Sequence, residues 1–130
     1  MQNYKSGITE IPKYLDGKAY VYEIIQNNND IKPIDRLKSI EKYVSYNELS
    51  ITDKLRFEAE SRQIYDLFKI RIRQNKKLNP MNVLKIKDNY YSIYNIYHFT
   101  NNDGFPESDI TLTKYKKEII LIEEEDDSNE

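Results

Sequence analysis

Leu67-Phe68-Lys69-Ile70-Arg71-Ile72-Arg73 alternates apolar and cationic side chains. Successive side chains of a strand point to opposite faces, so this run is predicted to be a strand. Phe68, Ile70 and Ile72 then face a core, and Lys69, Arg71 and Arg73 face outward. Downstream, Asn75 to Asn82 is a polar turn. Val83-Leu84-Lys85-Ile86-Lys87 and Tyr90 to Phe99 flank Asp88-Asn89, a two-residue pair of the kind that joins hairpin strands. Asn101-Asn102-Asp103-Gly104-Phe105-Pro106 is a further turn cluster, and Ile110 to Tyr115 alternates as a closing strand.

Upstream, every even position from Lys54 to Arg62 is charged while Leu55, Phe57 and Ala59 hold odd positions, a period of two. Ile51, Leu55 and Ala59 are also spaced by four, and Lys54 with Glu58 and Arg56 with Glu60 match helical i,i+4 pairs. The segment is therefore either extended or one short helix. Glu41 to Leu49 reads as a strand, as does Ala19-Tyr20-Val21-Tyr22-Glu23-Ile24-Ile25. Between them Asn27-Asn28-Asn29-Asp30 and Pro33 interrupt the ladder, which implies a loop of about a dozen residues. Residues 1–18 read as an irregular arm ending in the turn-like Asp16-Gly17. Residues 123–130 are acidic and nearly free of apolar groups, so a flexible tail is expected there. Five or six short antiparallel strands with long loops, over residues 19–122, make a mainly β domain, a small barrel or sandwich.

The 130 residues are 38% hydrophobic, enough for one modest core. With 20 basic and 22 acidic residues the net charge is −2, which gives no bulk attraction for nucleic acid. Cysteine is absent, which excludes disulfides and thiolate metal sites. The longest apolar stretches, such as Ile119 to Ile122, are far short of the roughly 20 residues that span a bilayer. Twelve tyrosines and four phenylalanines suit half-buried strands and also protein interfaces.

Little here points to catalysis. A single histidine, His98, stands at the end of a tyrosine-rich strand, and the three glycines at 7, 17 and 104 form no phosphate cradle. Glu58 and Glu60 sit in the charged alternation, where solvation is the ordinary state of a carboxylate. No cofactor or metal site is expected. Lys69, Arg71 and Arg73, with Lys76, Lys77, Lys85 and Lys87 nearby, are either a solvated strand face that discourages mispairing or a phosphate-binding stripe.

In order, the chain carries Val44-Ser45-Tyr46-Asn47-Glu48-Leu49, Arg56-Phe57-Glu58-Ala59, Phe68 to Arg73, and Lys85-Ile86-Lys87-Asp88-Asn89-Tyr90-Tyr91-Ser92-Ile93-Tyr94-Asn95-Ile96. This order resembles the head-closure, or head-tail joining, family of long-tailed phages, over about residues 19 to 115. Val44-Ser45 or Tyr46-Asn47 stands where that family commonly has Trp-Ala, and Gln74 follows Arg73 where Tyr is usual. The resemblance implies a non-enzymatic virion protein of the neck, a small β-barrel assembled in the bacterial cytoplasm. Its implied partners are copies of itself in a dodecameric ring, the portal and adaptor proteins, a tail-completion or tail-terminator protein and, transiently, packaged DNA. No membrane is involved. It also implies a DNA-gating segment at Leu49 to Ile64, with Leu49, Ile51, Leu55, Phe57, Ala59 and Ile64 as its apolar positions. Two other classes fit a catalysis-free β domain: a phage-encoded inhibitor of a host protein, and a nucleic-acid-binding barrel that uses the Lys69, Arg71, Arg73 face.

Overall fold

A computed structural model describes residues 10–25, 35–64, 66–115 and 119–122. The strands are β1 (Gly17–Ile25), β2 (Asp35–Leu49), β3 (Leu67–Arg73), β4 (Asn82–Ile86), β5 (Asn89–Thr100), β6 (Pro106–Lys114) and β7 (Ile119–Ile122), with one helix, α1 (Asp53–Ser61). The first six close a ring in the order β1-β4-β5-β6-β3-β2 and back to β1. Every pairing in that ring is antiparallel. The protein is thus a closed six-stranded barrel with one added strand, β7, which runs parallel to the start of β2. The acidic segment 123–130 and the first nine residues lie outside the described residues.

β3 has the expected facing: Ile70 and Ile72 are fully buried, and Phe68 packs against the same core. Val21 of β1, Leu84 of β4 and Leu112 of β6 join the same core. In β5 the alternation breaks at Tyr94, which is the extra residue of a bulge between Ile93 and Asn95. The bulge lets Ile93 and Ile96, three apart, both turn toward the core.

Five features differ from the sequence reading. β2 begins at Asp35, inside the expected loop, because Arg36 to Tyr46 pair along β1 and its last four residues pair with β3. Two register shifts in its pairing with β1 bend it between those partners, as bulges do in small barrels. The hairpin loop is Lys87-Asp88 and not Asp88-Asn89, since Ile86 pairs with Asn89. Lys87 takes the left-handed φ of 57° that such tight turns require. β6 starts at Pro106, and the apolar run 119–122 is a seventh strand. Gly17, expected in a turn, opens β1 directly opposite Tyr46. The Tyr46 ring lies over it so closely that a Cβ there would stand 2.6 Å from the hydroxyl oxygen and 2.8 Å from Cζ.

Of the two conformations left open for residues 53–62, the helix is the one formed. The Thr52 hydroxyl caps it by accepting from the Leu55 amide at 3.2 Å, and Asp53 occupies its positive end. At the other end the Gln63 amide donates to the Glu60 carbonyl and the Ile64 amide to the Ala59 carbonyl. These two bonds make a Schellman cap, with Gln63 at the left-handed position, φ 62°. A glycine there avoids the Cβ penalty, so Gln63→Gly is expected to raise stability by about 0.5–1 kcal/mol, measured by urea unfolding.

Candidate functional site

Cross-strand register decides what the basic stripe of β3 becomes. Lys69, Arg71 and Arg73 stand opposite Thr111, Asp109 and Glu107 of β6. The Arg71 guanidinium donates twice to Asp109, Nε to Oδ1 at 2.7 Å and Nη2 to Oδ2 at 2.9 Å. It also lies 4.9 Å from the centre of the Phe99 ring, which stacks on Tyr97 at 5.5 Å. The carboxylate holds Arg71 firmly protonated, through the hydrogen bond first and charge second. One of the three cations of the stripe is therefore ion-paired with the neighbouring strand, which weakens the stripe as a phosphate-binding surface.

The residues before β1 cross this face as a strap. The Leu15 amide donates to Asn47 Oδ1 at 2.9 Å, Asn47 Nδ2 returns a bond to the Lys13 carbonyl, and the Glu48 amide donates to Asp16 Oδ2 at 2.7 Å. The Tyr14 hydroxyl reaches β6 and donates to Glu107 Oε2 at 2.7 Å, while Asn101 Nδ2 donates to Oε1 at 3.1 Å. Glu107 is buried although it points outward from the barrel. Both of its oxygens have donors, as a buried carboxylate needs. A groove of about 350 Å³ opens beside the strap, lined by Pro12, Tyr14, Tyr43 and Arg73 among others.

Burial, then the bond to Glu107 and the charge of that carboxylate, push the Tyr14 hydroxyl above its ordinary pKa of 10.0; burial also raises Tyr22 and Tyr46. Each therefore ionises less readily folded than unfolded. Their contribution is intact below pH 10 and falls as pH rises beyond it, so the melting temperature is expected to drop on that alkaline side. Tyr14→Phe should reduce the drop, read by thermal scans across the range.

The segment Leu49 to Ile64 is a folded helix with short flanks, and its apolar residues do not form one face. Ala59 is fully buried, Leu49, Ile51, Leu55 and Ile64 are half-buried, and Phe57 is 78% exposed. Had this segment been extended, copies in a ring could have paired it edge to edge around the channel; the capped helix would have to unwind to do so. A groove of about 570 Å³ separates the start of the helix from the end of β2 and the start of β3, between Ile51, Arg56, Leu67 and Lys69.

His98 bonds through Nδ1 to the buried Ser108 hydroxyl at 2.6 Å, a link between β5 and β6. Among the described residues no three of His, Asp and Glu converge as a metal site, and no helix is long and apolar enough to cross a membrane. Tyr14, Glu107 and Asp109 are the members of this face that the sequence reading missed. The alternation Glu107-Ser108-Asp109-Ile110-Thr111-Leu112 was the available signal for the last two.

These features define the class: a small closed antiparallel β-barrel with a strapped outer face. Compared with models of known families, with characterised proteins and with solved structures, the chain matches none.

Proposed function

We propose that this protein is a structural, non-catalytic part of a tailed-phage particle, a head-closure subunit that forms a ring beneath the portal and adaptor, helps retain packaged DNA and offers the tail its attachment surface. The supporting observation is the order of elements along the barrel. A strand with Val44 to Leu49, a segment with Arg56 to Ala59, the Ile-Arg strand β3 and a tyrosine-rich hairpin follow one another within a small closed barrel, the architecture that the resemblance implies. A ring also needs contact surface on each subunit beyond what the monomer buries, on the order of a thousand square ångströms per contact. Phe57 on α1 and Tyr97 on β5, both largely exposed, are aromatic anchors of the sort that carry such contacts.

The direct experiment is electron microscopy of particles assembled without the protein. Full heads that lack tails and leak DNA are expected; normally tailed, DNA-retaining particles would refute the reading. Within assembled particles, Phe57→Ser tests the gating segment. Because Phe57 is exposed, the isolated subunit should keep its melting temperature within about 2 °C, a change of well under 1 kcal/mol. DNA retention in assembled heads should fall. Unchanged retention by variant subunits that still join heads would remove residues 49–64 from the gate.

A further inference from the structure

The outward face on the other side of β2 has a different chemistry. Along β1, Ala19 and Val21 turn in, so Lys18, Tyr20 and Tyr22 turn out. Lys85 of β4 pairs with Tyr20, and Tyr90 of β5 pairs with Lys85. On the other flank the Tyr43 ring of β2 meets Tyr20 edge-on at 5.9 Å, and the Lys18 ammonium sits 4.6 Å from the Tyr43 ring centre. The Tyr22 and Tyr90 rings are 5.9 Å apart, with the Lys85 ammonium 5.6 Å from Tyr90. Tyr43, Tyr20, Lys85 and Tyr90 thus form one row across four neighbouring strands, about 15 Å long at the usual strand spacing.

Charge supports an anionic occupant. The last eight residues hold six of the 22 carboxylates and no cation, so residues 1–122 carry 20 basic against 16 acidic groups. The net charge of −2 conceals a cationic body. Unlike Arg71, neither Lys18 nor Lys85 has a carboxylate partner among the described residues. The core of a protein interface is depleted in charge. This row instead sets two ammonium groups among exposed rings, Tyr20 at 43% and Tyr43 at 37%. Rings for bases and ammonium groups for phosphates are the two components of a single-strand platform, and a row of this length suits two or three stacked bases.

We propose that this row binds single-stranded nucleic acid, with bases stacked on Tyr20 and Tyr43 and phosphates held by Lys18 and Lys85. The site is independent of the ring-assembly reading and of the β3 stripe. The test is fluorescence anisotropy of labelled oligothymidylate and oligouridylate with the full-length protein, at low and at physiological salt. Saturable binding that weakens with salt is expected. The double variant Tyr20→Ala/Tyr43→Ala should bind about tenfold or more weakly, the scale of losing one stacked base. Lys18→Gln/Lys85→Gln should flatten the salt dependence, while Lys69→Gln should change nothing. Circular dichroism checks that each variant keeps the barrel. Absence of saturable binding at low salt overturns the assignment, as do binding unchanged in folded tyrosine and lysine double variants and equal affinity for duplex. It is also overturned if the same variants instead abolish a stable complex with a protein.

Discussion

Ile70→Ala and Ile72→Ala are each expected to destabilise the protein by about 2–4 kcal/mol, enough to consume a large part of the stability of a domain this size. Both side chains are fully buried at the centre of β3, between β2 and β6. Ile70 pairs directly with Ile110 and Ile72 with Ser108. Truncation removes apolar contact and leaves a void that a closed ring is poorly able to collapse, because each strand is tied on both flanks. Urea unfolding of the two variants checks this. A midpoint close to wild type for both would mean that β3 does not wall the core.

Gly17→Ala is expected to cost about 1–3 kcal/mol through overpacking, although it adds one methyl group at a site without unusual backbone geometry. The added carbon would meet Tyr46, whose ring is 2% exposed and wedged edge-on against Phe68 at 6.2 Å, so it has little room to withdraw. The two positions should be strongly coupled. In a Tyr46→Ala background, itself destabilised by the lost ring, adding Ala at 17 should cost close to nothing, and a double-mutant cycle over the four proteins gives the coupling directly. Additive losses would place the cost in the backbone of β1.

β3 was legible in the sequence because each residue type there reports the face it occupies. So was the turn-strand-turn-strand rhythm of β4 to β6, apart from limits that slid by one to four residues. What could not be read was pairing across distance. Nothing near Arg71 announces that Asp109, 38 residues on, will be its partner. Net charge counted over the whole chain likewise hid the contrast between the cationic body and its acidic end. Residues 53–62 satisfied the strand and helix periods equally, and only caps at Thr52 and Gln63 with a buried Ala59 decide for the helix. The loop read into residues 35–40 is a strand because β1 and β7 hold it on both sides. Neighbours of that kind override local preference.

Ring closure also bears on solubility. Each of the six ring strands has a neighbour on both flanks, and among the described strands β7 alone has a neighbour on one flank only. Its sequence, Ile119-Ile120-Leu121-Ile122, has the composition that drives edge-to-edge stacking and fibre growth, and Leu121 is 45% exposed. Five carboxylates follow at once, Glu123 to Asp127. Charged residues that flank an apolar edge are a common sequence device against such pairing. On this ground the acidic run following β7 is expected to oppose self-association through the one strand that the barrel leaves open. Neutralising it by acid or by Gln and Asn substitution is expected to make the protein self-associate through that edge.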